Sequence, residues 1–183
     1  MSGGGHVDPS NKKIALQIAI LAVVLAFSET LGKSAQTAAL SFNIQASNLW
    51  SFYQAKTIRQ TTMRTAADLL DAQSGEKATE AAKKQIAAWK KTAERYESEP
   101  EKGEGRIELI ARARKAEENR DRSLASYHHY EVASAAVQIA IVLASAEVIT
   151  SVIALGWASA LLGVAAIGFC LIGYFWPMSV HLF

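Results

Sequence analysis

The sequence predicts an all-α membrane protein with three transmembrane helices and a long helical-hairpin or coiled-coil soluble domain between the first and the second. Three observations lead to this prediction. Half of the 183 residues are hydrophobic, and the longest apolar runs lie near the two ends of the chain. There are only three prolines, so helices can run without interruption over most of the length. No segment alternates apolar and β-branched residues with polar ones, as half-buried strands do.

The composition also argues against several kinds of site. The formal net charge is only +2, which gives no reason to expect a nucleic-acid partner. The single cysteine, Cys170, excludes an internal disulfide and any metal site built from several cysteines. We therefore expect no cofactor and no bound metal.

The first predicted transmembrane helix covers residues 14–31 and follows a flexible N-terminal tail, residues 1–13. Its length suits the roughly 17–25 residues that the core of a bilayer requires. Lys12 and Lys13 before an apolar run also resemble the start of a signal peptide. The run is long for that role, and no small-residue cleavage site follows it. We therefore expect an anchor that remains in the protein.

The second apolar block is too long for a single span, and we divide it at Gly156–Trp157. This gives transmembrane helices at residues 132–155 and 158–176, joined as a hairpin, and a C-terminal tail at 177–183. The basic residues near the spans leave the orientation open. The basic residues before the first span favour a cytoplasmic N-terminus, whereas the basic residues that flank the central domain favour a cytoplasmic central domain.

The central domain, residues 32–131, is predicted to hold helices at about 33–73, 76–97 and 106–131. Its first part, Ser34–Ala55, has no charged residue, although a solvent-exposed helix normally carries Lys and Glu. Gly32 is the only breaker near its start and costs about 1 kcal/mol within a helix. We therefore expect the first span to continue into the domain as one helix.

A 3-4 repeat of apolar residues runs along this helix, with Lys56 and Gln60 interrupting it. It predicts a coiled-coil seam and hence a homo-oligomer. The alternative is an amphipathic helix folded against its own domain. Small residues such as Gly163 in the last span also favour close helix packing. The seam consists of Ala39, Phe42, Ala46, Leu49, Tyr53, Met63, Ala67 and Leu70.

Five polar residues in the spans are candidates for a role inside the membrane: Gln17, Ser28, Glu29, Gln138 and Glu147. Glu147 is expected well inside the second span. If the first two spans are antiparallel, Gln17 meets Glu147, and Gln138 meets Ser28 or Glu29. Such pairs either join helices by hydrogen bonds or form a proton or ion site; we favour the first reading.

Reactive groups are sparse elsewhere. His128 and His129 lie near Glu131 and Asp121, but adjacent side chains on a helix point about 100° apart and do not easily bind one ion. No set of Ser, His and Asp matches a catalytic motif. We expect no catalytic residue, no metal ligand and no enzyme activity.

Three stretches carry a family resemblance: SETLGKSAQTAAL (28–40), ASNLWSFYQAKTIRQT (46–61) and VQIAIVLASAEVIT (137–150). They resemble an uncharacterised bacterial membrane family catalogued as domain of unknown function 4337. The resemblance implies a multi-pass protein of the bacterial inner (cytoplasmic) membrane. It brings no activity or cofactor. It draws attention to Glu29, Lys33, Asn48, Trp50 and Tyr53.

Together these features predict a self-associating membrane scaffold or interaction protein. Its partners would be the lipid bilayer, further copies of the chain and an unidentified protein. The alternative is an oligomeric channel or transporter subunit in which Glu147 and the neutral polar helix face line a path.

Overall fold

The computed structural model of the protein describes residues 9–180, apart from the side chains of residues 9–11 and 76. Within this range all regular structure is helical, which confirms the predicted all-α class. Of the two predicted tails, residues 1–8 and 181–183 lie outside the described part. The helices are α1 (Pro9–Ser74), α2 (Glu80–Glu97), α3 (Arg106–Thr150) and α4 (Ile153–Phe175), with a 3₁₀ turn at Gly75–Lys77.

Helix α1 is a single helix of 66 residues. It confirms that the first apolar run continues into the central region without a break. It also begins at Pro9, so the end of the predicted N-terminal tail is helical. Gly32 is buried in this helix, and a Cβ there would lie 3.4 Å from Cβ of Tyr130 in α3. The absence of a side chain at Gly32 therefore lets α1 and α3 approach each other closely.

Helices α1, α3 and α4 are each long and apolar enough to cross a membrane. This agrees with the three predicted spans, with one correction. The turn before the last helix lies at Ser151–Val152, and α4 begins at Ile153, so the predicted division at Gly156–Trp157 was five residues too late. Ser151 has a positive φ of 56°, and its N–H donates to the Glu147 carbonyl (2.8 Å). Gly156 is a buried packing residue, not a helix breaker.

The chain divides into two units. The first, which we call the apolar unit, comprises residues 9–40 and 121–180 of the described part. Here α3 runs antiparallel to α1 and α4, and the three helices share a core. Small side chains let these helices pack closely. The buried core residues are Leu21, Ala133, Val137, Ala140 and Ala166.

The second unit, which we call the polar unit, comprises residues 41–120. Within it α2 runs antiparallel to the end of α1, so that Lys90 of α2 pairs with Asp71 (3.7 Å) and Glu97 of α2 with Arg64 (3.8 Å). The start of α3 then packs beside the earlier part of α1. Its core joins Ala46 and Leu49 of α1 to Leu109, Ala113 and Ala116 of α3.

The predicted seam of α1 faces its own chain in the polar unit. Ala46, Leu49 and Ala67 are buried, and so are Lys56 and Gln60, at 5% and 2% exposure. The two polar residues that interrupt the sequence pattern therefore continue the seam instead of ending it. Within this unit the seam matches the alternative of a helix folded against its own domain. The other members in this unit, Phe42, Tyr53, Met63 and Leu70, are half-buried, and Ala39, which belongs to the apolar unit, is buried.

Candidate functional site

A polar cluster ties together the three helices of the apolar unit. The Gln17 amide of α1 donates to the Ser159 hydroxyl (2.9 Å) and to the Gly156 carbonyl (3.2 Å), both in α4. The buried Ser159 hydroxyl in turn donates to the Ala140 carbonyl of α3 (2.7 Å). One glutamine and one serine thus link α1, α3 and α4. Interhelical hydrogen bonds of this kind contribute about 0.6 kcal/mol each on average.

Beside this cluster lies a cavity of about 270 Å³. Gln17 and Glu147 both line it, as the predicted antiparallel pairing of α1 and α3 requires. The two side chains do not hydrogen-bond to each other, because the Gln17 amide nitrogen is used by α4. Glu147 was expected well inside the span, but it lies only three residues before the last residue of α3. The other lining residues are Lys13, Ile14, Ile153, Gly156, Trp157 and Ala160.

Glu147 packs against the first turn of α4. A Cβ at Gly156 would touch its carboxylate oxygen and lie 2.6 Å from its Cδ. The missing side chain at Gly156 therefore leaves room for the carboxylate.

The other three polar candidates are not brought together. Ser28 is buried, and its hydroxyl donates to the carbonyls of Val24 and Leu25 in its own helix. Glu29 is exposed. Gln138 is also exposed, and its amide donates to the Ser134 hydroxyl one turn earlier (3.3 Å). Neither of the predicted contacts of Gln138, with Ser28 or with Glu29, is formed.

Small residues of α4 contact the other helices closely. A Cβ at Gly163 would lie 2.7 Å from Cδ2 of Leu21, and one at Gly173 would lie 2.8 Å from Cβ of His129. Gly168, by contrast, has nothing within 4 Å of such an atom. Gly163 is therefore placed in a helix contact, the role for which it was a candidate.

The adjacent histidines have different surroundings. His129 is 1% exposed, and its Nε2 lies 3.2 Å from the Pro177 carbonyl oxygen. His128 is half-buried and has Nδ1 3.7 Å from Glu131. Among the described residues, no three His, Cys, Asp or Glu side chains are grouped as metal ligands.

A second polar cluster occupies the polar unit, and Arg106 is at its centre. Its guanidinium donates to Gln60 Oε1 (2.6 Å), Glu97 Oε2 (2.8 Å) and the Tyr53 hydroxyl (3.1 Å), and also to Thr57. The Gln60 amide donates to the same Glu97 oxygen (2.6 Å) and to a carbonyl of α2. This one arginine therefore joins α1, α2 and α3.

These contacts change how the groups titrate. The hydrogen bond from the Gln60 amide, followed by the charge of Arg106, lowers the pKa of Glu97. The hydrogen bond with Arg106 and its charge lower the pKa of Tyr53. In the loop before α3, the Ser98 hydroxyl donates to Glu108 (2.6 Å) and lowers the pKa of that carboxyl.

Lys56 is buried among aromatic and acidic groups of the same unit. Its ammonium lies 5.4 Å from the Phe52 ring centre and 5.1 Å from that of Tyr96. Glu99 is its nearest carboxylate, at 3.7 Å, and Glu104 follows at 4.0 Å. A lysine that looked like an interruption of the seam is thus partnered inside the unit.

The residues highlighted by the family resemblance fall into two groups. Trp50 donates to Glu117 (2.8 Å) and packs edge-on against Tyr53, with ring centres 5.6 Å apart. Both therefore have structural contacts within the polar unit. Glu29, Lys33 and Asn48 are exposed.

The opposite face of α1 in the polar unit carries a second 3-4 repeat, which we call the exposed seam. It contains no charged residue. Ile44, Ile58 and Leu69 are its large apolar members, with exposed fractions of 53%, 67% and 57%. Its second half lines a cleft of about 550 Å³ together with further threonines. The members are Ile44, Asn48, Ser51, Ala55, Ile58, Thr62, Thr65 and Leu69.

Sequence reasoning missed three of these features. The exposed seam could have been found by counting 3-4 spacings from Asn48 as well as from Ala46. Lys13 was recognised only as a basic residue before the first span, and its place in the lining of one cavity with Glu147 was not predicted. For Arg106 no local signal exists, because its partners lie up to 53 positions away in the sequence.

The helices define the class of this protein: it is all-α over the described residues, with three helices long and apolar enough to cross a membrane. The chain belongs to a family described as a domain of unknown function, DUF4337, which matches residues 10–176. This confirms the family resemblance. No curated protein and no solved structure matches the chain.

Proposed function

We propose that the protein is a multi-pass membrane scaffold that self-associates through the exposed seam of α1. The observation that supports this most is the contrast between the two faces of that helix. One face is covered by α2 and α3, whereas the opposite face exposes Ile44, Ile58 and Leu69 without any charge. Soluble helices normally place charged residues on their exposed face.

The spacing of the exposed seam fits a partner helix. Residues at 3-4 intervals form the stripe by which two helices of a coiled coil meet. Two of the three seam hydroxyls do not need water, since Ser51 and Thr62 each donate to a carbonyl of the preceding turn (2.9 Å). Small side chains such as Ser51 and Ala55 also permit a close approach of two helices.

A second copy of the chain is the partner that suits this surface. Copies inserted into one membrane share their orientation, so the same residues of two α1 helices meet side by side. Charged seams would repel each other in that arrangement, but this seam carries no charge. Asn48 would face Asn48 of the other copy, and a buried Asn pair fixes register and favours two strands.

The particle mass of the full chain, measured by native mass spectrometry from detergent and from nanodiscs, tests this proposal. We expect an oligomer for the native sequence and a monomer for Ile58→Lys, which places like charges opposite each other. Ile107→Lys is the matched control, because Ile107 is 55% exposed on α3 outside the seam. A native chain that is monomeric in both media would contradict the proposal.

Cross-linking in membranes provides a second test. In a Cys170→Ser background, Asn48→Cys should form a disulfide-linked dimer on mild oxidation. Lys84→Cys, at an exposed position of α2, should not. Equal cross-linking at the two positions would mean that contact is random.

An oligomeric channel with Glu147 on its path is less well supported. A carboxylate near the end of α3 lies far from the middle of a span, where ion sites of transporters are found. A membrane flux that is abolished by Glu147→Gln would favour the channel over the scaffold.

A further inference from the structure

The cavity of the apolar unit contains two opposite charges that are not paired with each other. Lys13 and Glu147 both line it, and neither forms an ion pair with any residue in the described range. Lys13 is exposed and Glu147 is half-buried. Charges in apolar surroundings are normally paired or bound to a ligand. The cavity therefore offers one anchor for an anion and one for a cation.

Gln17, which lines the same cavity as Glu147, offers a second acceptor. Both hydrogens of the Gln17 amide are used, one on the Ser159 hydroxyl and one on the Gly156 carbonyl. These two bonds fix the side chain and leave its Oε1 without a donor among the described residues. A carboxylate and an amide oxygen at one cavity can together accept hydrogen bonds from an ammonium group.

The walls of the cavity are apolar and open toward the outside of the bundle. Ile153 and Trp157 line it and are each 70% exposed. Its volume of about 270 Å³ is just under the roughly 300–1,000 Å³ of small-molecule sites. It suits a small headgroup whose attached chains lie outside.

The position of the cavity along the helices also points to lipid. It lies where the first apolar run begins, directly after Lys12 and Lys13, and beside the turn at Ser151–Val152. Lysines and tryptophans that flank apolar helices mark the membrane–water boundary. This is the depth at which phospholipid headgroups lie.

We propose that this cavity binds the headgroup of an aminophospholipid such as phosphatidylethanolamine. The lipid ammonium donates to Glu147 and to Oε1 of Gln17, and the lipid phosphate pairs with Lys13. The acyl chains lie along Ile153 and Trp157. This inference rests on the membrane insertion that the proposed function includes, but not on self-association.

The charged and polar groups that line the cavity predict which lipids it prefers. Phosphatidylcholine carries the same charges, but its quaternary ammonium has no N–H to donate to Glu147. Phosphatidylglycerol has a phosphate for Lys13 and no cation for Glu147. Phosphatidylethanolamine alone of these three satisfies both charged side chains by direct hydrogen bonds.

Native mass spectrometry of the delipidated full chain tests the proposal, with the three lipids added separately and with matched acyl chains. We expect phosphatidylethanolamine to be retained about tenfold more than phosphatidylcholine, the effect of one charge-assisted hydrogen bond. Glu147→Gln should abolish this preference. Lys13→Gln should weaken both lipids alike. Glu29→Gln, which changes an exposed carboxyl of the same apolar run, should retain the native preference.

Two results would overturn the proposal: equal retention of phosphatidylethanolamine and phosphatidylcholine, or an unchanged preference in Glu147→Gln. Free O-phosphoethanolamine tests whether the ligand is a lipid or a soluble molecule with the same headgroup. If it raises the melting temperature as much as the lipid does, the ligand is a soluble zwitterion and the lipid assignment is wrong.

The same experiments separate this inference from the proposed function. The spectra report particle mass, so a monomer that still prefers phosphatidylethanolamine would contradict self-association and leave the lipid site intact. Membrane insertion is tested separately by alkaline carbonate extraction. A chain released from the membrane by carbonate would contradict insertion, and the lipid site with it.

Discussion

The two polar clusters of this protein use similar residues in different ways. Around Arg106, an arginine, a glutamine and a glutamate bond to one another across three helices. In the apolar unit a glutamine again joins three helices through Ser159. There, however, the neighbouring Glu147 and Lys13 have no ion-pair partner among the described residues.

The difference indicates which cluster serves the fold and which is available to a ligand. A polar group left without its partner in a buried place costs about 1–3 kcal/mol. The closed cluster around Arg106 avoids that cost within the chain and leaves no charge for a partner. The cluster at Glu147 leaves two charges available at a cavity. Both clusters resemble isolated polar residues in the sequence, so only their contacts distinguish them.

The largest expected effect on stability comes from removing the arginine at the centre of the closed cluster. Arg106→Met removes the donor shared by Gln60, Glu97 and Tyr53, and should lower the stability of the polar unit by about 2 kcal/mol. Thermal unfolding in detergent, followed by circular dichroism, measures this. Arg112→Met is the control, because Arg112 is exposed and bonds only to the Gly103 carbonyl among the described contacts (3.0 Å). If both variants melt alike, the cluster is not structural.

An intermediate effect is expected from acid. The pKa of Glu97 is lower in the folded protein than its ordinary value of 4.5, so its stabilising contribution is complete above about pH 4.5 and is lost as pH falls through the folded value. The melting temperature should therefore fall on acidification, and less steeply in Glu97→Gln. Glu94→Gln, at an exposed position of the same helix, should keep the native slope. Identical slopes in the native chain and both variants would contradict a role for Glu97.

The smallest expected effect comes from the open cluster. In detergent without added lipid, Glu147→Gln should leave the melting temperature unchanged, because the carboxylate has no partner to lose among the described residues. Ser159→Ala, which removes a hydroxyl bonded to both Gln17 and Ala140, should cost about 0.6–1.7 kcal/mol. A Glu147→Gln variant that melts earlier than Ser159→Ala would show that the carboxylate supports the fold.

Much of the helical architecture was predicted from the sequence. The three apolar runs, the continuation of α1 past Gly32 and the antiparallel pairing of α1 with α3 follow from hydrophobicity, from the lack of prolines and from chain length. The position of the last turn was wrong, because a glycine in an apolar run can be a breaker or a packing residue. Gly156 proved to be the second, in contact with Glu147.

The candidate site was predicted only in part. Gln17 and Glu147 were expected at the same depth, and both line one cavity. The hydrogen bonds of Gln17 were not foreseen, because the turn position determines which part of α4 lies beside it. Ser28 and Gln138 have their hydrogen bonds within their own helices. Comparing how deep two residues lie along their spans does not show whether their side chains bond to each other or to their own helix.

The sequence by itself determined where the helices run, because helix formation and apolar runs depend on residues close along the chain. It also determined that part of α1 carries no charge. The tertiary structure alone decided which face of α1 is covered, because that depends on where α2 and α3 return. It likewise decided that Arg106 has partners and that Glu147 has none among the described residues, since a side chain's partners are set by packing between segments far apart in the chain.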